Sequence, residues 1–229
     1  MIITIDGPSV SGKSTVARAV AKELHYFYIA SGYIYRGLAY ALIYARGYTQ
    51  DTIAQAQEAD VVYCLDESRF VYNYDETNAE RIIVEGVDVT DYIKTPAMDA
   101  GASLIGTNGI VRAHVLNFIR RLGQQYDIVI DGRDCGSVMF PSADFKFYLT
   151  ASLPVRARRW HAMQAKVNKH VSIEQAMATI TERDERDSNR VIAPLKIPQG
   201  ATIIDSSNIN ASEAVALIVQ QVILKNPIS

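Results

Sequence analysis

The chain has 229 residues, enough for one sizeable domain with insertions or a core with a small accessory module. Apolar residues make up 48% and charged residues 21%, which excludes wholesale disorder and fits a globular protein. The formal net charge of −2 provides no general attraction for nucleic acid or an anionic membrane, and no apolar run reaches the roughly 18 residues a membrane span needs.

Ile2 to Asp6 is a short apolar run ending at Gly7 and reads as a buried strand. Because it leads directly into a functional loop, no signal peptide is expected, and the cytoplasm follows as the compartment. Val16, Ala17, Val20, Ala21 and Leu24 recur at helical spacing, so Lys13 to Leu24 reads as a helix. Tyr33 to Arg46 reads as a second helix stopped by Gly47, and Asp51 to about Leu65 as a third. The texture then changes. "RFVYNY", "RIIVEG" and "VDVT", split by "DETNAE" and Gly86, predict a small antiparallel sheet between about residues 66 and 93. Two helices follow, with a break near Asn108-Gly109.

Asp127 to Ile130 is a buried strand ending at Asp131-Gly132, and Phe145 to Thr150 is another. A basic helix spans about Pro154 to Lys166, and a capping box at Ser172 to Gln175 opens a helix running towards Arg190. Pro194 and Pro198 stop helical continuation. Ala201 to Asp205 reads as a strand and Ser212 to Leu224 as a closing amphipathic helix. Strands alternating with helices predict an α/β fold, a parallel sheet with helices on both faces, interrupted by the small antiparallel insertion. Cys64 and Cys135 have no metal-like pairing and read as buried thiols. The scattered His25, His114, His161 and His170 predict no metal site, and packing is the expected role of most of the 13 tyrosines.

"GPSVSGKST", residues 7 to 15, fits G-x-x-x-x-G-K-[ST] in full, with a strand before it and a helix after. Glycines let the backbone turn without a Cβ in the ligand's way, and successive N–H groups form an anion nest at the positive end of a helix. Gly7, Pro8, Ser9, Val10, Ser11, Gly12, Lys13, Ser14 and Thr15 are therefore the candidate ATP-binding residues. Lys13 would reach the β/γ-phosphates, and Ser14 would ligate Mg²⁺. Kinases, GTPases, motors and other ATPases all use such a loop, so it does not define the acceptor.

Arginines supply the next signal. Arg36 follows "SGYIY", Arg112 lies on a helix, and Arg133 follows a buried strand at the end where parallel sheets bind ligands. Arg156, Arg158 and Arg159 begin one helix, while Arg183, Arg186 and Arg190 share a stripe with Asp187 on another. Surface exposure, or intrahelical pairing with Asp184 and Asp187, is the competing reading. Arginine outnumbers lysine in these segments, and its planar fork suits phosphate, which favours a second phosphate-bearing substrate facing ATP.

"IDGPSxSGKST", "SGxxYR", "TPxxxxxAS", "DGRDxGSVMFPxADFKFYLTAS", "RARR" and "ERDERDSNRxxAPL" occur in one order from about Ile2 to Leu224. In this the chain resembles the bacterial cytidylate kinases, P-loop nucleoside monophosphate kinases acting on CMP and dCMP. The resemblance implies a three-layer P-loop fold with a core (1–30, 100–153 and 191–229), an acceptor-binding region with the β insertion (about 31–99) and a helical lid (about 154–190). It implies that Ser31, Arg36 and Arg133 surround the acceptor phosphate, with Asp134 orienting the arginines. Ser103, Arg112 and Arg190 would contact cytosine, and Arg183 and Asp187 the ribose. Arg156 and Arg159 would belong to the lid, and Lys13, Arg133, Asp134, Arg159 and Arg183 would carry the chemistry. The implied reaction uses MgATP and CMP or dCMP; a monomer with no nucleic-acid or membrane partner is expected. The sequence departs from the family pattern at Val10, usually glycine or another small residue, at Ala30, commonly aspartate, and at Trp160, often arginine. The readings left beside it are a P-loop kinase for UMP, AMP, shikimate or gluconate, a nucleic-acid-binding P-loop ATPase, and a degenerate nucleotide-binding protein suggested by Val10 and Ala30.

Overall fold

The computed structural model describes residues 1–225 apart from Glu76, Asn78 and Val167, so part of the "DETNAE" connection lies outside the described residues. The fold is α/β. A five-stranded sheet has the order β2-β6-β1-β7-β8, formed by β1 (Ile2–Asp6), β2 (Phe27–Ala30), β6 (Ile128–Gly132), β7 (Phe145–Thr150) and β8 (Thr202–Asp205). β1 pairs in parallel with β7 from Ile3↔Phe145 to Asp6↔Tyr148, and β7 in parallel with β8. Ile3, Ile5 and Ile128 to Ile130 are wholly buried. Helices covering both faces of a parallel sheet explain why β1 and β6 are buried almost throughout, whereas β7 alternates buried and half-buried positions and β8 is largely exposed.

The expected insertion is an antiparallel sheet of β3 (Phe70–Tyr74), β4 (Glu80–Val84) and β5 (Val87–Asp88), with Phe70 opposite Val84 and Tyr74 opposite Glu80. The helices are α1 (Lys13–Leu24), α2 (Ser31–Arg46), α3 (Glu58–Cys64), α4 (Pro96–Ile105), α5 (Gly109–Gln125), α6 (Leu153–Ala165), α7 (Ile173–Asn189) and α8 (Ala211–Lys225).

Two elements differ from the sequence reading. β2 is a strand that no glycine or proline announces. His25 takes the left-handed position after α1 (φ 57°), a place usually given to glycine, and the chain enters β2 two residues later. The third helix is broken. Ile53–Gln55 forms one 3₁₀ turn, Ala56 and Gln57 are extended, and α3 starts only at Glu58. Side chains from elsewhere satisfy the freed backbone: Asn108 Nδ2 donates to Ala54 O and Ala56 O, and Gln57 N donates to the Tyr48 hydroxyl. Tertiary hydrogen bonds thus outweigh helix propensity here.

The chain forms two compact units, Met1–Tyr26 with Val129–Ser229, and Phe27–Ile128. Residues 27 to 30 and 100 to 128, expected with the core, cluster with the second unit. In that unit Gly37 of α2 lets the small sheet approach closely. A Cβ there would lie 2.7 Å from Ile82 Cγ2 and 3.0 Å from the Phe70 ring. The Tyr72 hydroxyl accepts from Ala30 N (2.9 Å) and donates to Tyr28 O (3.1 Å), tying β3 to β2. In the first unit α1 packs with α8, and α6 packs with α7 through Ala157, Ala176 and Ile180. Trp160 packs on that cluster as a hydrophobic contact. Both cysteines are buried, and burial pushes the Cys64 thiol up to about 12. No described helix is long and apolar enough to cross a membrane.

Candidate active site

The loop from Gly7 to Gly12 joins the end of β1 to the first turn of α1. Its turn is possible because Gly7 (φ 150°) lies against β7: a Cβ there would come 2.0 Å from Leu149 O, a backbone atom with nowhere to go. Val10 also has a left-handed backbone (φ 59°), a conformation that favours glycine and is strained for a β-branched residue. The branched side chain is held by packing against the Ala157–Ala176–Ile180 cluster.

Lys13 is buried at the head of α1, and its Nζ donates to Pro8 O (2.6 Å) and Ser11 Oγ (3.4 Å). Burial, reinforced by the nearby Arg133 charge, pulls its pKa from 10.5 down to about 7. Ser14 Oγ donates to Asp131 Oδ2 at 2.8 Å. This places one hydroxyl and one carboxylate, both hard oxygen donors, side by side at the start of α1. That donor set fits Mg²⁺, which takes one or two protein oxygens and fills the rest of its octahedron with water and phosphate. No cluster of three or more His, Cys, Asp or Glu side chains suited to a metal occurs among the described residues.

Asp6, at the end of β1, accepts from Cys135 N (2.8 Å) and Gly136 N (2.7 Å) and so anchors the single π-helical turn Cys135–Met139 that follows β6. Burial raises Asp6 from 3.8 to about 6; the neighbouring Asp134 charge adds to this, and the two backbone N–H groups oppose it.

That turn holds the "GRD" residues in place. Arg133 Nε donates to Asp187 Oδ2 (2.7 Å), and its Nη2 donates to Ser9 Oγ (3.2 Å). Arg190 Nη2 donates to the buried Asp134 Oδ1 (2.9 Å). Arg159 Nη1 donates to Ser11 O (3.1 Å) and Ser206 Oγ (3.1 Å), and its Nη2 to Ser206 O (2.7 Å); burial lowers its pKa. Arg156 donates to Ala151 O (2.9 Å) and Ser9 O (3.0 Å) and pairs with Asp184. Arg183 is half-buried and makes no hydrogen bond or ion pair among the described residues.

The first unit therefore gathers Lys13, Arg133, Asp134, Arg159, Asp187 and Arg190 with the loop. The competing expectation of intrahelical pairs for Asp184 and Asp187 does not hold, because their partners are Arg156 and Arg133. The second unit carries Ser31, Arg36, Ser103 and Arg112. Ser31 is buried at the start of α2, and Ser103 is half-buried on α4. Arg36 Nε donates to Asp99 Oδ1 of α4 (2.7 Å), with its guanidinium 5.6 Å from the Tyr33 ring centroid. Arg112 is buried, donates to Gly106 O (3.4 Å) and lies 5.9 Å from the Tyr35 ring centroid. Sequence reasoning missed Asp131, although a buried apolar strand ending in aspartate was legible, and it missed Ser206, which carries no local signal.

A family model described as cytidylate kinase matches residues 3–224. The cytidylate kinase of Halalkalibacterium halodurans is 37% identical over 219 residues, covering 96% of each chain. That of Azotobacter vinelandii is 36% identical over 222 residues, covering 97% of this chain and 95% of its own. An uncharacterized protein from Eubacterium ventriosum superposes with a TM-score of 0.53 at 12% identity over 97% of this chain and 98% of that one, which bears on the fold alone. The phosphate-binding loop, the strand-end arginine and the paired aspartates of α7 all fall inside the matched span, and the chain belongs to the cytidylate kinase family.

Proposed function

We propose that the chain transfers the γ-phosphoryl group of ATP to CMP or dCMP, giving ADP and CDP or dCDP. The observation that carries this is Arg133: one guanidinium bridges Ser9 of the phosphate loop and Asp187 of α7. An arginine in that position can neutralise charge between a donor on the loop and an acceptor beside α7.

In the proposed reaction an oxygen of the acceptor phosphate forms a bond to the γ-phosphorus while the bond to the β–γ bridging oxygen breaks, and ADP leaves with that electron pair. The acceptor phosphate is largely ionised at neutral pH, so no side chain need act as a base. What the protein must do is bring two polyanions together. Gly7 to Thr15 would hold ATP, with Lys13 at the β/γ-phosphates. Ser14 and Asp131 would hold Mg²⁺, which supplies charge neutralisation when bound. In the first unit Arg133 would face the acceptor phosphate, and Arg183 and Asp187 the ribose; in the second unit Ser31 and Arg36 are the groups suited to phosphate. Arg190 of the first unit, paired with Asp134, would read the base, and Ser103 and Arg112 are the base-reading candidates of the second unit. Arg159 would stabilise transferring charge from α6, as part of a lid formed by about residues 154–190 that excludes water. The enzyme acts on free nucleotides as a cytoplasmic monomer in this reading.

ADP release against CMP, dCMP, UMP, AMP, shikimate and gluconate tests the proposal. Preference for CMP or dCMP is expected, and preference for UMP or a non-nucleotide acceptor would overturn it. Salt-sensitive oligonucleotide binding without acceptor-dependent turnover would instead favour a nucleic-acid ATPase.

A further inference from the structure

All three polar groups of Ser9 are engaged by residues more than 120 positions away in the chain. Its N–H donates to Asp184 Oδ1 (2.8 Å), its carbonyl accepts from Arg156 Nη1 (3.0 Å), and its hydroxyl accepts from Arg133 Nη2 (3.2 Å). Arg156 Nη1 also bonds Asp184 Oδ2, so Ser9 N–H, Asp184, Arg156 and Ser9 O close into a ring. Arg156 is tethered at its other end to Ala151 O, just past β7. The Arg156 and Asp184 side chains are 11% and 19% exposed, so the ring is largely shielded from solvent.

The next residue, Val10, packs on the apolar side of α6 and α7. Two consecutive loop residues are thus docked on the same helix pair, one by polar and one by apolar contact. One turn further along α7, Asp187 holds Arg133. A largely desolvated ion pair adds little net stability compared with an apolar replacement. Its value here lies in geometry: a carboxylate bound to a backbone N–H of the phosphate loop sets where that loop begins its turn.

Resting on the kinase reading above, we propose that Asp184 is a positioning residue for phosphoryl transfer. It holds Ser9 and Arg156 in register, so that the phosphate loop and the α7 residues Arg183 and Asp187 face each other at the distance the reaction needs. It touches no reacting atom and acts through Ser9. Misplacement of bound groups by about 1 Å can lower turnover roughly 100-fold without weakening acceptor binding.

The test is steady-state kinetics of D184A, D184N, R156A and the D184A/R156A double variant, with melting curves for each. D184A is expected to lower kcat about tenfold or more while changing KM for CMP less than about threefold. D184N keeps an acceptor for Ser9 N–H and loses the charge facing Arg156, so its kcat should fall between D184A and the parent. Because both residues act through Ser9, the double variant should be no slower than the slower single variant. If D184A does not fold, D184N decides: kcat below the parent's at unchanged KM supports the proposal. Parental kcat in D184A, or in D184N where D184A does not fold, overturns it, as do fully additive losses in the double variant. If the parent itself fails to phosphorylate CMP or dCMP, the kinase reading fails instead, a result seen before any variant is made.

Discussion

Arg133 Nε lies 2.7 Å from Asp187 Oδ2, so a carboxylate 54 residues further along the chain aims the arginine that follows β6. The pair is about a quarter exposed on each side, which limits its contribution to stability to about 1 kcal/mol or less. Its consequences should appear in turnover. Arg133→Ala is expected to lower kcat by about 10³-fold while the melting temperature stays near the parent's. Coupled-assay kinetics and a thermal melt on the same preparation check this. Near-parental turnover would remove Arg133 from the site.

Lys13 gives a pH signature. Burial pulls its folded-state pKa from 10.5 to about 7. Between those values the unfolded chain binds more protons than the folded one, so this lysine makes stability rise with pH across that window. Below about pH 7 the folded chain carries the full burden of a buried charge. Lys13→Met removes the titration. The stability of the variant relative to the parent should therefore be greatest near pH 6.5 and decline towards pH 9, by up to about 1.4 kcal/mol per pH unit. Urea unfolding of both proteins at several pH values measures the difference. A difference independent of pH would refute the assignment. Turnover should be lost in the variant at every pH.

Asp131 accepts the Ser14 hydroxyl at 2.8 Å, and the two are the oxygen donors proposed for Mg²⁺. Asp131→Asn removes the negative charge and preserves size and an acceptor oxygen. The Mg²⁺ concentration that half-saturates turnover should rise roughly 10–100-fold. A magnesium titration of kcat checks this; superimposable curves would place the ion elsewhere.

Val10 has a left-handed backbone with φ 59°. Alanine there would keep the strained conformation and lose the packing on α6 and α7. Glycine would lose the same packing but relieve about 1–2 kcal/mol of strain, against about 0.4–1 kcal/mol of added unfolded-state entropy. Val10→Gly should therefore be more stable than Val10→Ala by roughly 0.5–1 kcal/mol, measured by urea unfolding. The reverse order would mean that the loop relaxes around a Cβ.

The parts that were legible in the sequence share a short range. β1, the glycine loop and α1 are contiguous, and each residue's task depends on neighbours within a few positions. The small sheet announced itself through alternation, and α7 through the Ser172–Gln175 capping box, which the structure reproduces on both hydrogen bonds. β2 escaped because His25 does the work of a C-terminal glycine, and the third helix was overdrawn because its break is made by Tyr48 and Asn108.

By itself, the amino-acid sequence determined that a glycine-rich loop of the G-x-x-x-x-G-K-[ST] pattern sits between a buried strand and a helix, and that arginines recur at strand ends and along α7. Which carboxylate each arginine meets was decided only in three dimensions. Helical spacing makes Asp184 and Asp187 neighbours on α7, but it cannot say that Arg156 and Arg133 arrive opposite them. The physical reason is range: backbone conformation answers to local sterics and hydrogen bonding, whereas the pairing of partly buried charges depends on which distant segments the packed sheet and helices bring within about 3 Å.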